Sequence, residues 1–278
     1  MHKWVTGLCL VLLLAVAIVA DSPPSERPRV VDLAYGEDPR QKLDVYPAQA
    51  PSPAVVLVHG GGWTRGDKEL PEIRESALRL QARGFAVFSI NYRLADADRP
   101  GEPMQTQDIT SAVDWVLQNG ARYGADDSGI RLVGGSSGAQ LVSLAGQEIN
   151  AAQPGRIRGV VAMSGPMDFV RIVEQNLPLS PQDRTGKSIP TYLGCRLVDC
   201  TAEQMQGPSP IYNVAPSSPS FLIVNSDDEI VPIEQAQAMH DALIAAGRTS
   251  ILRIVSGQTH GLALFEAVEN DVVAFLRG

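Results

Sequence analysis

Apolar segments of strand length alternate with amphipathic segments of helix length along nearly the whole chain, and this rhythm limits the possible folds more than any single motif does. After a Pro-rich stretch at 22–28, RVVDLAYG and KLDVYP read as two strands and AVVLVHG as a buried third. ELPEIRESALRLQARG carries Ile73, Ala77 and Leu80 at helical spacing and stops at Gly84. FAVFSINYRL reads as a strand. TQDITSAVDWVLQNG reads as a helix with Ile109, Val113, Val116 and Leu117 on its apolar face. The pattern repeats through IRLVGGS and SGAQLVSLAGQEI, then through IRGVVAMSG. After a break it resumes with SFLIVNSDD, IEQAQAMHDALIAAG, SILRIVSGQ and LALFEAVENDVVAFLR. Strand–helix alternation predicts the α/β class: a mostly parallel sheet covered by helices on both faces, with the first hairpin adding antiparallel edge strands. No repeat or second domain is evident, so residues 30–278 read as a single domain. The Pro-rich, polar stretch around 167–212 reads as an irregular insert over the site. In such sheets ligands bind beyond the C-terminal ends of the strands.

Composition narrows the function classes. The chain has 278 residues, 44% of them hydrophobic, which suffices for a sizeable core. Its formal net charge is −8 and it has no basic cluster, so nucleic-acid binding has no electrostatic basis. Residues 1–20, MHKWVTGLCLVLLLAVAIVA, differ from the rest. Lys3, an apolar run from Trp4 and the small Ala20 describe a secretory signal cleaved after Ala20, followed by a linker at 21–29. An uncleaved anchor is the rival, although the run would span only about 26 Å as a helix. Export would place the protein in the periplasm or medium, with no membrane contact for the mature domain if the leader is removed. Cys9 lies inside the apolar run and does not fit a lipid-attachment site. Cys195 and Cys200 in YLGCRLVDC favour a disulfide in an oxidising compartment, with free thiols as the alternative. Two cysteines without a nearby His pair cannot complete a zinc shell.

The strongest chemical signal is IRLVGGSSGAQLVSLAG at 130–146. Gly134, Ser136 and Gly138 fit G-x-S-x-G between a strand and a helix, the frame that stands a serine hydroxyl on a tight turn. Centred on Ser137, the frame would end at Ala139 and fit worse. A serine needs a base. Of four histidines, His2 is in the leader, His240 lies in a helix, and His59 opens HGGGW. His260, in SGQTHG at a strand end between small residues, is the best candidate. The base needs a carboxylate to hold its tautomer. FLIVNSDDEIVP supplies Asp227, Asp228 and Glu229, in the chain order nucleophile, acid, base. Backbone amides of the HGGGW glycines, together with the Ser137 N–H, are candidate donors to an oxyanion. His59 is expected to brace that loop.

HGGGW, GGSSG, SDDEIVP and THG together resemble the α/β-hydrolase superfamily, in particular bacterial carboxylesterases and feruloyl-esterase-like enzymes near the hormone-sensitive-lipase and kynurenine-formamidase branches. The resemblance covers roughly residues 30–278. It implies an α/β-hydrolase fold with an eight-stranded, mostly parallel sheet, a Ser–Asp–His triad and no cofactor. By position it makes Ser136 the nucleophile and His260 the base. Gly61, Gly62 and Ser137 become the oxyanion donors, with Trp63 a further possible one. In the resembled D-x-x-V-P run the acid stands four residues before the proline, which selects Asp228. Two departures stand out: Val224 and Asn225 replace a usual His-Gly, and Ser137 replaces a usual Ala. The implied activity is hydrolysis of carboxylic esters with short acyl groups, small or polysaccharide-linked. A formamidase or peptidase of the same fold, and a non-catalytic binding protein, are the alternatives.

Overall fold

The computed structural model describes residues 29–174 and 185–278. The leader with Cys9 and nearly all of the linker lie outside the described residues. Eight strands form one sheet in the order β1-β2-β4-β3-β5-β6-β7-β8. They are β1 (Val30–Ala34), β2 (Lys42–Tyr46), β3 (Ser52–Val58), β4 (Ala86–Ile90), β5 (Ala125–Gly135), β6 (Ile157–Met163), β7 (Ser220–Ser226) and β8 (Ser250–Val255). β2 runs antiparallel to both neighbours, and every pairing from β4 across to β8 is parallel. The opening hairpin thus sits at one edge, as its position ahead of the first helix predicts.

Alternate side chains along the strands feed two apolar layers, because successive residues of a strand point to opposite faces. Val56 and Val58 join one layer with α2 (Met104–Asn119), α3 (Ser137–Ala152) and α7 (Ile233–Ala245) through Ile109, Leu141 and Met239. Val55 and Leu57 join the other with α1 (Pro71–Ala82) and α8 (Phe265–Arg277) through Ile73 and Val272. Each such fully buried aliphatic side chain contributes about 1.5–3 kcal/mol. Helix α2 buries Ile109, Val113 and Val116, but Leu117 is 46% exposed. The residue next to Val116 has turned about 100° off the apolar stripe, so Leu117 does not belong to that face.

The 167–212 stretch is less irregular than its prolines suggest. Its described parts contain α4 (Phe169–Glu174), α5 (Thr185–Leu193) and α6 (Ala202–Gln206). A capping box fixes the start of α6: the Thr201 hydroxyl accepts from the Gln204 N–H, and the Gln204 side chain accepts from the Thr201 N–H. Cys195 and Cys200 form a disulfide across the turn between α5 and α6. No helix of the described residues is long and apolar enough to cross a membrane.

Candidate active site

The turn from β5 into α3 holds Ser136 at φ 57°, ψ −127°, a conformation that costs an ordinary residue about 1–3 kcal/mol. The surroundings fix it there. The Ser136 N–H donates to the Met163 carbonyl on β6 (2.8 Å), and the Ser136 carbonyl accepts from the Ala139 N–H (2.9 Å). The flanking glycines are dictated by space. A Cβ on Gly135 would lie 2.6 Å from the Leu262 nitrogen, and one on Gly138 would lie 2.5 Å from the His59 carbonyl oxygen. Ser136 is partly exposed, whereas Ser137 is buried at 1%. The turn therefore presents Ser136 and encloses Ser137.

His260 reaches this turn from the loop after β8. Gly261, its neighbour, packs over the serine: a Cβ there would stand 3.8 Å from Ser136 Cβ and 3.8 Å from its nitrogen. The Gly261 N–H donates to Ser164 Oγ (2.8 Å), which ties the histidine loop to the end of β6. The imidazole is 28% exposed, so a face of it remains accessible.

The carboxylate at the imidazole is Glu229 and not Asp228. Glu229 Oε2 sits in a short hydrogen bond with His260 Nδ1, and the Glu229 side chain is fully buried. Its other oxygen accepts from the Ser226 N–H (3.2 Å). Asp228 faces outward and accepts from Gln258 Nε2 (2.7 Å). Asp227 accepts from the Gly257 N–H (2.8 Å) and Ser256 Oγ (3.1 Å). Those bonds, the backbone one first, hold its carboxyl below the usual range. The physical reason lies in the turn after β7. Its first two residues point to solvent and clamp the loop that leads to His260. The third turns back under the strand end, and its extra methylene brings the carboxylate to the ring. Motif counting from Pro232 falls one residue short of that turn.

The loop after β3 supplies the other wall. Gly61, Gly62 and Trp63 all have positive φ (125°, 58° and 60°), so the backbone coils tightly beside the serine turn. A Cβ on Gly60 would come within 3.1 Å of Ser136 Cβ, which places this loop directly against it. Ser137 is the first residue of α3, and its N–H is one of the helix's initial amides without an intrahelical acceptor. The structure thus gathers Gly61, Gly62, Ser136, Ser137, Glu229 and His260 at one end of the sheet, with Asp228 at its margin. His59 stacks on Tyr92 at 4.3 Å, and its Nδ1 lies 2.6 Å from the Gly60 carbonyl. Full burial lowers its pKa to about 4, so it braces the loop as a neutral ring. His240 is remote from this chemistry and bonds Ser250 Oγ (2.9 Å).

Sequence reasoning missed the support behind this wall. Trp63, fully enclosed, donates from Nε1 to Gln140 Oε1 (2.8 Å), one helical turn after Ser136. Gln140 Nε2 in turn donates to the Tyr192 hydroxyl on α5 (3.1 Å) and to the Pro208 carbonyl (2.7 Å). Trp63 stacks on Tyr192 at 4.9 Å and tilts against Phe169 at 5.6 Å. One buried amide therefore joins the coiled loop, the serine helix and the insert. The available sequence signal was a lone Gln inside the otherwise apolar opening of α3.

A strained serine turn, an accessible imidazole and a coiled glycine loop at the C-terminal edge of such a sheet define a member of the α/β-hydrolase superfamily. The BD-FAE family model matches residues 43–243, and the chain belongs to that family. It is 28% identical over 255 residues to Esterase LipC of Mycobacterium tuberculosis, which covers 86% of this chain and 61% of the relative. It is 28% identical over 250 residues to a probable isoprenylcysteine alpha-carbonyl methylesterase, ICMEL1, of Oryza sativa subsp. japonica, covering 82% of this chain and 56% of that one. The chain thus spans only a little over half the length of these curated relatives. Among solved structures, a truncated carbohydrate esterase from gut microbiota superposes with a TM-score of 0.77 at 23% identity, covering 92% of this chain and 98% of that one.

Proposed function

We propose that the chain is a carboxylic ester hydrolase acting through Ser136, His260 and Glu229. The observation that carries this reading is the buried Glu229 carboxylate bonded to the imidazole that stands beside the strained serine turn. Ser136 Oγ attacks the ester carbonyl carbon while His260 Nε2 takes its proton. Glu229 accepts from Nδ1–H and offsets the charge of the imidazolium. The carbonyl oxygen becomes an oxyanion held by the amides of Gly61, Gly62 and Ser137. His260 then protonates the leaving alcohol, and the C–O bond breaks to give the acyl-serine. Water, deprotonated by the same histidine, attacks the acyl carbon and releases the acid and the free serine.

The acyl group is short in this reading. Trp63, Phe169 and Tyr192, the large aromatics behind the site, are packed on one another and fully buried, so they support a closed wall rather than an apolar tunnel. The alcohol portion is a small molecule or a polysaccharide hydroxyl. The Cys195–Cys200 disulfide supports work in an oxidising compartment, in keeping with the export pattern of the first 20 residues. Steady-state rates on p-nitrophenyl esters test the reading: acetate or butyrate should turn over with higher kcat/KM than the twelve-carbon ester. Absence of turnover on every ester would overturn it.

A further inference from the structure

At the opposite end of the sheet, near the N-terminal ends of β6, β7 and β8, a cleft of about 820 Å³ opens between the strands and α8. Four arginines line it, Arg131, Arg158, Arg248 and Arg253, against one carboxylate side chain, Asp271, with the terminal Gly278 also at its wall. That imbalance stands out in a chain whose net charge is −8. Asp271 is committed to Arg253 at 3.0 Å. Arg131 is 6% exposed, and its Nη1 bonds only to the Ser128 carbonyl (3.2 Å), the Ser128 hydroxyl (2.8 Å) and the Gly129 carbonyl (2.9 Å). The stem of Arg158 crosses over Gly129, where a Cβ would come within 2.6 Å of it. Arg131 and Arg158 are therefore neighbours, and burial above all lowers the Arg131 pKa, with the Asp126 charge opposing the shift and the Arg158 charge adding to it. Arg248 Nε is buried without a hydrogen-bond partner among the described residues. A buried guanidinium donor left unpaired is costly, and a bound oxyanion would remove that cost.

The rest of the lining is mixed, with Asn150, Ser217, Ser220 and Thr249 set among carbon surfaces. Gly159 lies directly under the Phe275 ring, where a Cβ would come within 2.9 Å, and Leu222 and Ile251 also face the cleft. An inorganic anion would use the arginines and leave these side chains uncovered. We propose that the cleft binds an organic carboxylate with an apolar body, its head on Arg131, Arg158 and Arg248 and its carbon skeleton against Phe275, Leu222 and Ile251. The site is separate from Ser136, which lies at the other end of β5.

Calorimetric titration of the full chain with hexanoate tests this, using the Ser136→Ala variant so that the esterase site does no chemistry. Hexanamide serves as a neutral control, and inorganic phosphate as an anion without a body. The expected result is saturable binding of one hexanoate per chain, with both controls at least roughly tenfold weaker. Arg158→Gln combined with Arg248→Gln should weaken hexanoate by roughly tenfold or more. Both side chains reach solvent, so an unchanged melting temperature verifies the fold of that variant, and Arg158→Gln alone, at an exposed position, provides a second one. No saturable binding, equal affinity for phosphate or hexanamide, or undiminished binding in the folded arginine variants would each overturn the proposal.

Discussion

The difference between Asp228 and Glu229 rests on one bend of backbone, and single substitutions separate them. Glu229→Gln keeps the shape but offers an amide in place of the acceptor, which favours the wrong imidazole tautomer. The analogous change in a worked Ser-His-Asp triad costs about 10⁴-fold in kcat. Asp228→Asn and Asp227→Asn should each cost less than about tenfold, because their partners are Gln258 and the 256–257 backbone and hydroxyl. A kcat series over the three variants checks this, and a crippled Asp228→Asn would return the role to that residue. His59 gives a second test, through pH. Its pKa is lowered from 6.5 to about 4 by burial. The unfolded chain therefore binds a proton between those values that the folded chain does not, and stability falls as pH drops through that window. The loss attributable to His59 is on the order of 3 kcal/mol. Urea unfolding at pH 7 and pH 4.5 should show a smaller loss for His59→Phe, whose ring can still stack on Tyr92, than for the wild type. The serine frame was legible because glycine spacing reports directly on backbone crowding. The acid was not, because a row of three carboxylates does not reveal which one the turn folds inward.

Helices and strands position these residues, and their contacts make further claims testable. The approach of α3 to the end of β3 leaves no room at Gly138, so Gly138→Ala must push the helix from the His59 carbonyl. Overpacking of this kind typically costs about 1–3 kcal/mol, measurable by chemical denaturation, and here it should lower kcat as well by shifting Ser136. Gln140→Ala removes the amide that links Trp63, Tyr192 and the Pro208 carbonyl, and should destabilise the fold by a similar 1–3 kcal/mol. The disulfide closes a short loop, worth about 2 kcal/mol in the loop-entropy model, so mild reduction should lower the melting temperature modestly. Element order was readable because period-2 and period-3.6 patterns differ clearly. The helices of the 167–212 stretch were obscured by their shortness and by Pro190 within α5, where local signals are weak and tertiary contacts decide.

At the scale of the molecule, the strand order places the serine turn, the glycine loop and the histidine loop at one end of the sheet and the arginine cleft at the other. The sequence alternation implied the first arrangement, since the loops after parallel strands share one edge. It could not imply the second. Arg131, Arg158, Arg248 and Arg253 are scattered over more than a hundred residues and converge only when β5, β6 and β8 assemble. The central claim is that Ser136 is the nucleophile of an ester hydrolase, and covalent labelling tests it most directly. The whole chain, treated with a fluorophosphonate and mapped by peptide mass spectrometry, should carry one adduct, on Ser136, with loss of esterase activity in proportion to labelling. An unlabelled chain that still hydrolyses esters, or an adduct on Ser137, would contradict the account.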